Sequence, residues 1–289
     1  MARAWPGVDG STSTEPLAVL IACKAHGLRY ECRRGPAEER TVVPSGERRP
    51  DLAARIVEEV HHHGTHDAYT GLIERRADLI LVARQPSTRE RAAAARAGVV
   101  LDLRPFALDA LVFVVNARNP VRDLPLERLR AVYGPGGPMR WPELGGDEGV
   151  IEAFQREEDS GSQELIDQLV MRGLPMRDVR EVPVVRTMAG PIHAVAMRKA
   201  GLAFSVYYYV TNMARNRSVR MLGVDGVRPT RASIASRRYP LTSPVYAVLR
   251  KGTDPEAPAA KLRDWLGTEE GRDALLESGY APWPVSRPR

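Results

Sequence analysis

Apolar positions along this chain follow two spacings. ADLILVA (77–83), ALVFVVN (110–116), GLAFSVYYYV (201–210) and SPVYAVLRKG (243–252) are continuous apolar runs of strand length, which predicts buried strands. DAYTGLIERR (67–76), LPLERLRAVYG (124–134), SQELIDQLVMRG (162–173), APAAKLRDWLG (257–267) and TEEGRDALLESG (268–279) repeat apolar residues at the helical period and predict helices. Strands and helices alternate along the chain, the pattern of an α/β fold. Residues 33–50 are charged and rich in Pro and Gly, and predict a surface loop; 133–149 and 225–240 predict two further irregular stretches. No internal repeat is present.

The chain has 289 residues, of which 43% are hydrophobic, enough for one large or two ordinary domains. No apolar run approaches the roughly 20 residues of a membrane span. A signal-peptide pattern is also missing, so the protein is either cytoplasmic or secreted or anchored through a segment outside this chain. The net charge of +6 comes almost wholly from arginine. Those arginines are spread evenly and often sit beside acids, as in STRERAAAARAG, which argues against a nucleic-acid partner. Cys23 and Cys32 have neither CxxC spacing nor cysteine partners for a metal, leaving two inert thiols or one small-loop disulfide.

Three places combine a strand end, small hydroxyl residues and a helix start: DGSTSTEPL (9–17), HHGTHDAY (62–69) and EDSGSQEL (158–165). Thr14, Thr65 and either Ser160 or Ser162 are the candidate caps. A helix start leaves about four backbone N–H groups unpaired and carries roughly half a positive charge. Such turns converge outside the carboxyl ends of strands in open α/β sheets, where ligands gather. A tetrahedral oxyanion would satisfy all three, with Arg156 as its counter-charge. The neighbouring acids narrow the choice. A carboxylate only repels fully deprotonated sulfate, whereas hydrogen phosphate can donate a proton to it. The acids beside the cradle, Glu158, Asp159 and Glu15, are the candidates for this filter; the plainer role for Asp159 and Glu164 is to complement the helix dipole.

DGSTSTEPL, ADLILVARQPS, the segment from ALVFVVN to PELGG, REEDSGSQE, GLAFSVYYY and YPLTSPVYAVLRKG followed by TEEGRDALLESGYAP come in an order that resembles the phosphate-binding subunit of Pst-type ABC importers. The most specific shared motif is an arginine, three intervening residues, then Ser-Gly-Ser or Ser-Gly-Thr, here Arg156 and Ser160–Ser162. The resemblance covers nearly the whole chain. It implies a two-lobed, type II periplasmic-binding-protein-like α/β fold with the ligand cleft at the hinge. Lobe one would be residues 1–112 and 241–289, and lobe two residues 113–240. It further implies an extracytoplasmic, monomeric solute-binding protein that captures inorganic phosphate without covalent chemistry or cofactor and passes it to an ABC permease. Carried over by motif, the ligand-binding positions are Ser13, Thr14 through its hydroxyl, Glu15 through its N–H, Thr65, Arg156, Ser160, Gly161 and Ser162, with Glu158 as the acid beside the arginine. Ala83 stands where well-known members have an aspartate that accepts the phosphate proton. Arg84 follows it as a second cationic contact.

Other readings compete. Sulfate or molybdate could replace phosphate, and the protein could be a sensor. His61, His62, His63 and His66, with Asp67, could bind zinc, although consecutive strand positions face opposite ways. A phosphate-ester hydrolase would need Ser160 to act with a distant histidine such as His193, yet DSGSQ lacks the GxSxG frame, and no P-loop or GxGxxG occurs. The tyrosines of VYYYV, Trp141 and Trp265 read as packing residues, and the two methionines of MRGLPM as core.

Overall fold

The computed structural model describes residues 5–34, 39–47, 49–136, 139–177, 184–185 and 187–284. Parts of the stretches 33–50 and 133–149 therefore lie outside the described residues. The chain forms two compact units, one from Met1–Leu108 with Pro244–Arg289 and the other from Asp109–Ser243. Among the described residues, no helix is long and apolar enough to cross a membrane.

The first unit contains β1 (Val8–Gly10), α1 (Glu15–Ala25), β2 (Tyr30–Arg34), β3 (Arg40–Pro44), α2 (Pro50–Glu59), α3 (Thr65–Ile73), β4 (Leu79–Val82) and α4 (Thr88–Arg96). Strand β5 (Leu101–Asn116) carries the chain onward. The second unit contains β6 (Asp123–Leu124), α5 (Leu126–Tyr133), β7 (Glu152–Ala153), β8 (Gln155–Arg156), α6 (Gly161–Ile166), β9 (Val184–Val185), α7 (Gly190–Met197), β10 (Gly201–Val206), β11 (Val219–Met221), β12 (Gly223–Val224) and α8 (Arg231–Ala235). Strand β13 (Thr242–Arg250) returns to the first unit, which closes with α9 (Pro258–Trp265), α10 (Glu269–Ser278) and β14 (Ala281–Pro282).

In the first unit β1 and β4 pair in parallel, with Val8 opposite Leu79 and Gly10 opposite Leu81. Every residue of β4 is buried, as expected of a strand covered on both faces. Tyr246 and Val248 of β13 lie opposite Val82 and Ile80 and join Ala68, Tyr69 and Leu72 in one core. Each large apolar side chain buried this way stabilises the fold by about 1.5–3 kcal/mol. Helix α1 is apolar all round, and Pro16–Cys23 is buried throughout, so it is a core helix rather than a surface one. In the second unit β10 pairs antiparallel with β5, placing Phe204 opposite Phe113. Phe113, Tyr133 and Phe204 pack with ring centroids 5.5–6.5 Å apart, within the range of favourable aromatic pairs.

Four predicted elements differ. The surface loop at 33–50 contains much of a hairpin, with Tyr30 opposite Pro44 and Cys32 opposite Val42, and the start of α2. β-branched Thr41, Val42 and Val43 supply the strand preference that the surrounding charges obscure. The helix at 162–173 is α6 followed by a π-helical turn, Asp167–Met171, and it stops at left-handed Arg172, one residue before the glycine. The strand at 201–210 ends at Val206; Tyr208 and Tyr209 are buried in a helical segment, because a short apolar run fits either period. Within the irregular stretch 225–240, Thr230 caps α8 by accepting the Ser233 N–H at 3.0 Å. Cys23 is buried and Cys32 exposed, and both are free thiols.

Candidate functional site

In the first unit, β1 and β4 end side by side, and Ser11 connects them. Its backbone N–H donates to Leu81 O at 3.0 Å, and its Oγ accepts the Ala83 N–H at 3.1 Å. The same Oγ lies 2.7 Å from Thr65 Oγ1. The turn after β1, the start of α3 and the residue after β4 are thus joined through one buried hydroxyl. Gly10 permits this approach: any Cβ there would collide with the Leu81 carbonyl oxygen and the Thr14 hydroxyl.

Thr14 does not cap α1. Its hydroxyl donates to Ser11 O at 2.8 Å and Leu81 O at 2.7 Å, so its proton is already committed. Thr65 is the first residue of α3 rather than its cap; Gly64, at φ 101°, takes the N-cap position. Ser13 is buried, and its carbonyl accepts the Tyr280 hydroxyl at 2.8 Å. Glu15 opens α1 with its side chain 3.4 Å from Thr41 Oγ1 and 3.4 Å from His62 Nε2. Burial raises its carboxyl above the ordinary range, which His62 and Thr41 partly offset.

Arg84, the expected second cationic contact, is engaged in an ion pair within the first unit. Its guanidinium makes two 2.7 Å bonds to the carboxylate of Glu90 and lies 5.6 Å from the centre of the Tyr69 ring. Both members of the pair are buried, at 2% and 1% exposure. Burial pushes the Glu90 carboxyl up, but the Arg84 bonds and charge, with the Ser87 N–H and His66, hold it below the ordinary range. Sequence reasoning also missed Asp9 as a local organiser. It is buried in β1, and its carboxylate accepts the Gly10 N–H at 2.7 Å and the His63 N–H at 3.1 Å and lies 2.9 Å from His63 Nδ1. A lone acid inside a strand was the available signal.

In the second unit, β8 delivers Arg156 and the turn after it delivers the opening of α6. Ser160 is the cap, accepting the Gln163 N–H at 3.3 Å, and its Oγ lies 3.2 Å from Ser162 Oγ. Gln163, unnoticed in the sequence, folds back to accept the Arg156 N–H at 3.0 Å and fixes the arginine against the helix start. Arg156 is 9% exposed, and one guanidinium N–H meets Met188 Sδ at 3.3 Å. Burial lowers its pKa, while Tyr209 and Glu157 act the other way; an arginine still keeps its charge. Glu157, Glu158 and Asp159 are exposed on the connecting turn. A cavity of about 420 Å³ adjoins this place, with Gln155, Arg156, Glu158, Gln163 and Asp167 in its wall. Farther along the unit, Asp109 is 2% exposed, and its Oδ1 accepts the N–H groups of Ala110 at 2.8 Å and Tyr208 at 3.0 Å. Burial pushes its carboxyl up to about 7 against the pull of those two bonds.

A family model described as a PBP superfamily domain matches residues 50–267, about three quarters of the sequence. The chain belongs to the PBP superfamily. Its fold is similar to that of a Clostridium perfringens protein whose crystal structure holds bound phosphate, at TM-score 0.73 and 20% identity over 97% of this chain and 100% of that one. An ABC-type phosphate transport receptor from Vibrio cholerae is similar at TM-score 0.66 and 20% identity, covering 94% and 98%. In sequence, the phosphate-binding protein PstS of Borreliella burgdorferi is 21% identical over 180 residues, 61% of this chain and 63% of that protein. The chain thus spans less than two thirds of that relative's length.

In this PBP superfamily chain the histidines are directed to separate carboxylates: His62 to Glu15, His63 to Asp9 and His66 to Glu90. They do not lie on a strand, and among the described residues no group of three or more His, Cys, Asp or Glu is placed to hold a metal ion. Trp141 packs in the core with its Nε1–H on Ala200 O at 2.9 Å, whereas half-buried Trp265 bonds Glu270 at 3.0 Å. Met171 is core, but Met176 is only half-buried and lines the cavity.

Proposed function

We propose that the chain is an extracytoplasmic binding protein that captures inorganic phosphate non-covalently, as a monomer, and hands it to an ABC permease. The observation that carries this reading is Arg156, buried and fixed by Gln163 beside a helix start capped by Ser160. A buried guanidinium next to unpaired N–H groups and hydroxyls suits an oxyanion. The named relatives support phosphate as that anion, since one is a phosphate-binding protein and one structure contains phosphate.

In this reading Arg156, Ser160, Gly161 and Ser162 of the second unit supply charge and donors. Within the first unit Ser13 and Thr65 remain candidate donors, whereas the Glu15 N–H already donates to Thr12 O. If Ser11 accepts from Ala83 N–H and donates to Thr65, the proton of Thr65 remains available to the anion. Glu158 accepts the proton of hydrogen phosphate. No bond is made or broken, so incubation with a phosphate ester gives binding without turnover.

Calorimetric titration with phosphate, sulfate and molybdate tests this directly. Phosphate is expected to bind best, and Arg156→Ala is expected to weaken it by about 1.5–3 kcal/mol, the worth of a charge-assisted hydrogen bond. Unchanged phosphate affinity in that variant would remove Arg156 from the site.

A further inference from the structure

The cavity beside Arg156 is larger than an inorganic anion needs. Its volume of about 420 Å³ falls within the ~300–1,000 Å³ of small-molecule sites. A tetrahedral anion has five heavy atoms. The space lies wholly within the second unit, on the side of Arg156 walled by the π-helical turn and the segment after it.

Its lining is of two kinds. Met171, Leu174, Pro175 and Met176 offer apolar surface. Asp167 offers a polar group. Asp167 is a half-buried acceptor on the same wall. Burial, with the charges of Glu164 and Glu158, brings its carboxyl up to about 6 despite a hydrogen bond from Gln163.

From this we infer that the second unit recognises phosphomonoesters or phosphonates with a short hydroxylated or aminated carbon chain, the phosphoryl group on Arg156 and the chain in the adjoining cavity. The apolar wall takes the methylenes, and Asp167 accepts from a hydroxyl or ammonium. The inference rests on the proposed anion site at Arg156 and extends its ligand class beyond inorganic phosphate.

The test is competition calorimetry on the unmodified chain with inorganic phosphate, methyl phosphate, glycerol 3-phosphate and phosphoethanolamine. Glycerol 3-phosphate and phosphoethanolamine are expected to bind at least about tenfold more tightly than methyl phosphate, which has no chain to place in the cavity. Leu174→Trp fills the cavity from an exposed position, Leu174 being 53% exposed, and lies outside the anion-binding set. It should weaken the two longer ligands by about tenfold or more and leave inorganic phosphate within about twofold. If phosphate binds and the longer ligands bind no better than methyl phosphate, the inference fails and the phosphate site stands. Equal weakening of phosphate and the longer ligands in Leu174→Trp also overturns it. Should neither phosphate nor any ester bind, the anion site itself is refuted.

Discussion

The guanidinium of Arg84 and the carboxylate of Glu90 meet through two parallel 2.7 Å hydrogen bonds, with both side chains almost completely out of water. Removing Arg84 leaves the buried Glu90 carboxylate without its main counter-charge, with only the Ser87 N–H and His66 beside it. Arg84→Ala is therefore expected to lower stability by about 3–5 kcal/mol in a denaturant titration, while phosphate affinity of the folded fraction stays near wild type. A variant of normal stability with lost phosphate binding would restore Arg84 as a ligand contact.

Ser11→Ala removes the hydroxyl that joins Ala83 N–H to Thr65. The buried amide and hydroxyl left behind should cost about 1–3 kcal/mol of stability, and phosphate should bind more weakly because Thr65 is no longer held. Ser13→Ala, whose hydroxyl takes no part in this network, serves as the comparison for stability. Equal unfolding midpoints for Ser11→Ala and wild type would show that the three segments are held by something else.

Glu158→Gln should let sulfate compete better against phosphate, because an amide does not repel a donor-free dianion as a carboxylate does. Glu158 is exposed, so the change is expected to be modest, up to about 1 kcal/mol or about fivefold. Displacement titrations with both anions measure it. Sulfate exclusion as complete as in wild type would end the filter role.

Asp109 makes stability fall as pH rises. Its unfolded value is 3.8 and burial lifts the folded one to about 7, so between these limits the folded chain keeps a proton that the unfolded chain has released. Its contribution is greatest below about pH 4, declines up to about pH 7 and is flat above. Asp109→Asn should flatten this part of the profile in urea midpoints taken from pH 5 to pH 8. A wild-type profile that rises between those values with the same slope in the variant would contradict the assignment.

Much of this fold is legible in the chain because buried strands such as Leu79–Val82 are continuous apolar runs, and helices such as Glu269–Ser278 repeat at the helical period. The hairpin at Tyr30–Pro44 was hidden because its strands carry charges on an exposed surface, where periodicity is weak. At the candidate site, a helix start at Ser160–Ser162 could be read from spacing alone, but which serine caps it could not. The ion pair of Arg84 could not, since position 84 reads as a cation beside a turn until Glu90 is seen across it. Ser11 and Gln163 were equally silent, because their partners lie in other segments: Ala83 and Thr65 for the first, Arg156 for the second.

Thr14 and Ser160 occupy matching places in two similar turns, yet they present opposite faces to a guest. Thr14 has given its only hydrogen to two carbonyls, so nothing but lone pairs remains on that oxygen. Ser160 has used a lone pair on the Gln163 amide, which polarises its hydrogen and leaves it to be given either to Ser162 Oγ, 3.2 Å away, or to a guest. Exchange of Ser160 for aspartate would preserve the helix while turning the same spot from welcoming to hostile toward negative charge.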